Sequence, residues 1–297
     1  MNQLNISLSN LKKFFILFFI TFHFCFLACC DSEKSTINRG HRWFDRGKFS
    51  SAVQTYSQAI KINPSNPDSY YFRGLAKLKS EDKEGAKADF TVTINMNPNY
   101  LGAYINRGII FKDEGNLDKA LEDFNKALEL KPDEYKTYLI RANVWFQKGD
   151  FEKAIDDSSF VIKNNPLMAV AYRDRADAYY WKQNYEETIK DYKRAIELNP
   201  KDSFAYNNLA WILSTCEDEK YRDGKSALLY AKKAVDLNPN PVNLSTYAAA
   251  YAENRMFEDA VKIMKKIVFD EKNLVEKNSK YLNLFLNHQP LREKPGD

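Results

Sequence analysis

Histidine and cysteine are scarce, with three His and four Cys in 297 residues. Zinc takes three or four such ligands gathered at one point. The chain lacks material for a metal site or a His-based catalytic centre, and neither a metal nor a cofactor is expected. Three of the cysteines, Cys25, Cys29 and Cys30, crowd the N-terminal region. A secreted disulfide scaffold spreads its cysteines through the mature body, so no disulfide framework is expected. Excess charge of one sign is also missing: 44 Lys and Arg against 40 Asp and Glu leave +4. That balance cannot neutralise a phosphate backbone, which argues against nucleic acid as a partner. GxGxxG, P-loop, HExxH and GxSxG patterns are absent, so no catalytic residue is assigned and no small-molecule substrate is expected. What the chain does have is 14% aromatic and 28% charged residues, a composition that folds rather than one of disorder or collagen.

Lys12 and Lys13 precede an apolar run from Phe14 to Ala28, broken only by Thr21 and His23 and ending in FLACCDS. This is the anatomy of a secretory signal. The 15-residue run falls short of the roughly 20 needed to span a bilayer. A Cys after an apolar run and a small residue resembles the lipobox of bacterial lipoproteins, where the thiol is acylated and becomes the new N-terminus. Cys29, behind Ala28, is the preferred site, although Phe26 stands where Leu is usual. Cys30 is the alternative, with Leu27 in place but Cys29 where a small residue belongs. The resemblance implies a protein of the bacterial cell envelope, lipid-anchored to a membrane on its periplasmic or surface face. Stable anchoring takes more than one acyl chain. Residues 1–28 are read as the signal peptide and 29–32 as a short tether.

Beyond them the sequence repeats. Pro64, Pro98, Pro132, Pro166 and Pro200 lie 34 residues apart, and so do Tyr70, Tyr104, Tyr138, Tyr172 and Tyr206. Small residues keep the same period at Gly40, Gly74, Gly108, Ala142, Ala176 and Ala210, as do Ala52, Ala86, Ala120 and Ala154. This period with these residues resembles the tetratricopeptide repeat (TPR) over about residues 33–274. The expected fold is all-α, a right-handed superhelical solenoid of about seven helix-turn-helix repeats. They begin near Glu33, Pro67, Leu101, Tyr135, Ala169, Ser203 and Pro241, in one continuous array. Residues 275–297, with a stripe running from Leu274 through Tyr281, Leu282 and Phe285, read as a capping helix and tail.

Within a repeat the spacing gives two helices. Tyr104, Arg107, Gly108 and Phe111 share one helical face, and Ala120, Asp123, Phe124 and Ala127 share another. Gly115 between them suits a left-handed turn. The sixth repeat carries five extra polar residues around Cys216, which predicts a longer helix or a protruding loop. Arg73, Arg107, Arg141 and Arg175 fall on the buried stripe of the first helices, and Asp89, Asp123, Asp157 and Asp191 on that of the second. An unpaired buried charge is costly, so within-repeat pairs are expected as a structural ladder. Arg39 in the first repeat faces Thr55 instead.

The resemblance implies that the first helices line a concave groove. The residues expected to face it are Ile37, His41, Tyr71, Leu75, Ile105, Ile109, Leu139 and Asn143, then Arg173, Asp177, Asn207 and Trp211. The first four repeats are thus apolar there and the next two polar, which suits a helix or an extended segment of a protein or peptide. Some relatives bind acidic C-terminal tails through a clamp of Lys, Asn and Arg. Only Asn106 and Lys136 match here, which disfavours that role. Two functions follow: a membrane-tethered, non-enzymatic adaptor, or a structural subunit of an envelope machine of the outer-membrane-protein or pilus assembly type.

Overall fold

The computed structural model describes residues 33–270 and 275–296. The signal peptide, the tether, Cys29, Cys30 and Leu274 therefore lie outside the described residues. The described chain is helical, and its helices fall into two units that meet at Asp133 and Glu134. The 34-residue motif runs unbroken through residues 133 and 134.

The first unit holds α1 (33–45), α2 (Phe49–Ile62), α3 (Pro67–Lys79), α4 (Lys83–Met96), α5 (Leu101–Asp113) and α6 (Leu117–Leu130). The second holds α7 (Tyr135–Gln147), α8 (Phe151–Asn164), α9 (Ala169–Trp181), α10 (Tyr185–Leu198), α11 (Ser203–Thr215), α12 (Gly224–Leu237), α13 (Pro241–Glu253), α14 (Phe257–Asp270) and α15 (Val275–Leu286). Odd and even helices pair as hairpins. Each first helix is 13 residues long from α3 to α13, and each second helix 14 from α2 to α14.

Local chemistry sets the ends. Asn66, Asp82, Asp150, Asn184, Asp202, Asp223 and Asn240 each accept a backbone N–H of the helix they precede, meeting donors that a helix start leaves open. Six of the hairpin turns carry one left-handed residue. Gly47, Gly115 and Gly149 supply it with φ of 70° to 77°, whereas Glu81, Gln183 and Arg255 take the same turn at 58° to 67°. The small residue of each first helix is a close-approach point. A Cβ on Gly108 would stand 2.8 Å from Phe124 Cε1, and one on Gly74 2.8 Å from Phe90 Cε1. The phenyl rings therefore pack directly on helix backbone, and both are fully buried.

Each ladder arginine grips its aspartate with two nitrogens. Arg107 Nε donates to Asp123 Oδ2 at 2.9 Å and Nη2 to Oδ1 at 2.7 Å. Arg73–Asp89, Arg141–Asp157 and Arg175–Asp191 repeat the fork, and Lys77 adds a second cation on Asp89 at 2.9 Å. The aspartates are buried, while the arginines stay about a fifth exposed and lie over Tyr70, Tyr104, Tyr138 and Tyr172. Spacing alone did not reveal the third contact. Nη1 of Arg73, Arg107 and Arg175 donates to Ser57, Thr91 and Ser159 of the preceding hairpin at 3.0 to 3.2 Å. The ladder thus ties neighbours as well as closing hairpins. Arg39 instead donates to Gln58, and the matching position of the sixth repeat holds Leu209, fully buried.

The sixth-repeat insertion forms neither a longer helix nor a free loop. α11 stops at Thr215, one 3-10 turn follows at Glu219–Tyr221, and Arg222 binds the carbonyls of Cys216 and Glu217 while pairing with Glu253. Burial raises the Cys216 thiol, which disfavours the reactive thiolate. The C-terminal tail adds a further clasp. The Glu293 N–H donates to the Thr215 carbonyl, Tyr281 OH to Glu293, and Arg292 pairs with Glu253. Tyr281, Phe285 and Leu291 close the last core, with Met264 and Ile267.

Candidate functional site

In the first unit, Ile37 and His41 stand on α1, Tyr71 and Leu75 on α3, and Ile105 and Ile109 on α5, all half-buried. Part of their surface is spent internally. His41 Nδ1 is hydrogen-bonded to Tyr56 OH at 2.8 Å and its ring meets Phe72 edge-on at 4.4 Å, so it is anchored rather than free. Tyr71 reaches across to α5, where Asn106 donates to its hydroxyl at 3.3 Å and the absence of a side chain on Gly102 leaves it room. Its ring packs on Tyr100 at 4.7 Å, and burial raises its phenol. Asn106 is thereby committed, leaving nothing of a tail clamp in this unit.

In the second unit, Leu139 is half-buried and Asn143 exposed on α7, while Arg173 and Asp177 stand half-buried on α9. Asn207 is 7% exposed and lines a cavity together with residues of α13 and α15. Its neighbour Asn208, which the sequence reading passed over, is central. Asn208 Nδ2 donates to Asp177 Oδ1 at 3.1 Å and to Tyr192 OH at 3.2 Å, and its Oδ1 accepts from Asn207 Nδ2 at 3.2 Å. Tyr192 OH also donates to Asp177. Arg173 bridges Asp174 at 3.1 Å and Asp202 at 3.0 Å. Burial pushes the Asp174 carboxyl up to about 6, with Asp177 and Asp202 adding to the rise and Arg173 opposing it. Asp177 and Tyr192 are also raised, each chiefly by burial.

Two adjoining cavities open on this face. One, of about 350 Å³, is lined by Asn207, Asn208, Trp211 and residues of α13 and α15. The other, of about 280 Å³, is lined by Phe146, Tyr180, Trp181, Tyr192 and Trp211 with Asp177. Among the described residues no group of His, Cys, Asp and Glu could hold a metal ion, and no helix is long and apolar enough to cross a membrane.

Regular helical hairpins with half-open first-helix faces define an α-helical repeat scaffold. Tetratricopeptide repeats are found in it: family models described as TPR repeat or tetratricopeptide repeat match residues 40–80, 102–134, 169–202 and 191–227. No curated protein matches the chain. Among solved structures, a tetratricopeptide repeat protein from Parabacteroides merdae is 19% identical, covering 86% of this chain and 100% of that one with a TM-score of 0.62. The C-terminal part of a TPR protein from Cytophaga hutchinsonii is 17% identical, covering 83% and 99%, with a TM-score of 0.64. YrrB, a TPR protein with an unusual peptide-binding site, is 16% identical, covering 65% and 97%, with a TM-score of 0.54. At these identities the likeness is one of fold.

Proposed function

We propose that this protein is a non-enzymatic adaptor, tethered to a membrane of the cell envelope by lipid on Cys29, that holds a protein or peptide segment against its first-helix faces. The observation that carries the reading is the half-buried apolar set Leu75, Ile105 and Ile109 in the first unit. These side chains are anchored at their bases yet keep area to bury against a partner, and burial of apolar area is the main source of binding energy. The peptide-binding site of YrrB, a protein of the same fold, supports the reading, and the lysine pair, apolar run and cysteines of the N-terminal region support the tether.

The test is Leu75→Glu combined with Ile109→Glu. Capture of a partner from envelope extract is expected to be lost while helical content and melting cooperativity are kept. Capture by the folded double variant would move the reading to a structural subunit of an envelope assembly machine that docks by another surface. Loss of folding would show that these side chains belong to the core.

A further inference from the structure

We infer that the first-helix face of the second unit binds an extended peptide carrying a Lys or Arg side chain beside an aliphatic one. The basic side chain enters the aromatic cavity at Asp177 and the aliphatic one the cavity at Asn207. The inference rests on the adaptor reading above and adds the chemistry of what is bound.

The orientation of three side chains fixes the polar part of the site. Asp177 Oδ1 is an acceptor toward Asn208, so Asn208 must present its NH2 there, at 3.1 Å. That leaves Asn208 Oδ1 to face Asn207, which must in turn present its own NH2, at 3.2 Å. Asn207 Oδ1 is what remains: an acceptor in a residue 7% exposed, with no donor from the protein, in the wall of the 350 Å³ cavity. Buried acceptors are nearly always met; this one lies just beneath the cavity surface, so a backbone N–H of a bound chain meets it once the Asn207 side chain shifts toward the cavity. Trp211, Pro241 and Val242 around it offer an apolar surface for an aliphatic side chain.

The neighbouring cavity is of opposite character. Its wall of Phe146, Tyr180, Trp181, Tyr192 and Trp211 surrounds one carboxylate, Asp177. Aromatic faces attract cations, most strongly where water is displaced. Asp177 has no ion-pair partner among the described residues, and the nearby Arg173 is already shared between Asp174 and Asp202. Three carboxylates against one guanidinium leave a surplus that a cationic side chain balances. Asn208 and Trp211 line both cavities, so the two adjoin. Side chains two apart on an extended chain share a face about 7 Å apart, which suits one short segment entering both.

The test uses the full chain in detergent and libraries of acetylated, amidated decapeptides with a central Leu-X-Lys or Leu-X-Arg, read by affinity selection and mass spectrometry. At least tenfold enrichment is expected over libraries with Glu or norleucine in the basic position. Asn207→Leu is expected to cut the enrichment at least tenfold. Val242→Arg, at a rim position 61% exposed, is expected to do the same without altering the melting curve, which keeps the test valid if Asn207→Leu fails to fold. Equal enrichment of all libraries, or enrichment unchanged by Val242→Arg, overturns the inference. Full displacement of the selected peptides by millimolar choline also overturns it, reassigning the site to a small cation. The adaptor reading fails separately, through Leu75→Glu with Ile109→Glu in the other unit, and those changes leave the library result untouched.

Discussion

Asp174 illustrates how burial of one carboxyl makes stability depend on pH. Its ordinary value of 3.8 rises to about 6 in the fold. Between those values the unfolded chain has released the proton while the folded chain retains it. The folded state therefore binds more protons, and its stability falls as pH climbs from about 4 to about 6. Asp174→Asn is expected to remove that part of the slope and to raise stability at pH 7.5 by about 2 kcal/mol, less than the full shift because the side chain is partly solvated. Urea unfolding of both proteins at pH 4.5 and 7.5 measures it, and a wild-type curve flat over this range would refute the assignment. Burial raises Asp177 in the same direction, so a residual slope is expected in the variant. Arg107 is the contrasting case, a charge whose partners are already in place. Removing it strands the buried Asp123 and releases Thr91, so Arg107→Ala is expected to cost about 3 kcal/mol. A double-mutant cycle with Asp123→Ala should give a coupling above about 1.5 kcal/mol, and a value below about 0.5 would remove the pair from the stability of the hairpin.

Among the hairpin turns, the left-handed position separates residues that suit the backbone from residues that tolerate it. Gly115 and Gly149 sit there freely, whereas Gln183 holds φ at 58°. A side chain in this region costs roughly 1 kcal/mol, offset in part by the greater freedom of glycine in the unfolded chain. Gln183→Gly is expected to stabilise by about 0.5 kcal/mol and Gly149→Gln to destabilise by about 1 kcal/mol, both read from denaturant midpoints at constant m. The hairpins were legible in the sequence because each repeated residue acts within its own hairpin: the small residue under an aromatic ring, the proline after the second helix, the arginine and aspartate of one fork. Features acting between hairpins were harder to read. Ser57, Thr91 and Ser159 share the period but look like ordinary solvated positions until the third arginine nitrogen is seen to reach them. Asn208 shares its place in the period with Asn38 and Asn106, but its role depends on Asp177, 31 residues earlier, which the period alone does not bring to it.

Over the whole molecule, the lipid tether is the reading that most constrains where the scaffold works. Only residues 31 and 32 separate Cys30 from α1, so acylation there would hold the first hairpin near the bilayer. Cys29→Ser with Cys30→Ser is expected to move the protein from the membrane to the soluble fraction. Retention of that variant through a carbonate wash would identify the N-terminal segment as a membrane helix instead. The proline period runs through residues 133 and 134 unchanged, so nothing in the sequence marks where the chain divides into its two units. The tail was not legible either: Leu291 and Glu293 belong to no helical stripe, and their burial depends on a surface made by α11, α13 and α15.

That tail also bears on how the protein is made. Most contacts join a helix to the next one or two, and such contacts form as soon as the chain emerges from the ribosome. The clasp of Arg292 on the Ser214 carbonyl joins residues 78 apart, and the bond from Glu293 to Thr215 spans the same interval. During synthesis α11 to α13 can therefore pack before the segment that closes over them has emerged. The second unit reaches its final form only once residues 287–296 have emerged, and a chain stalled before that point, or a bulky insertion just after residue 286, would hold it open.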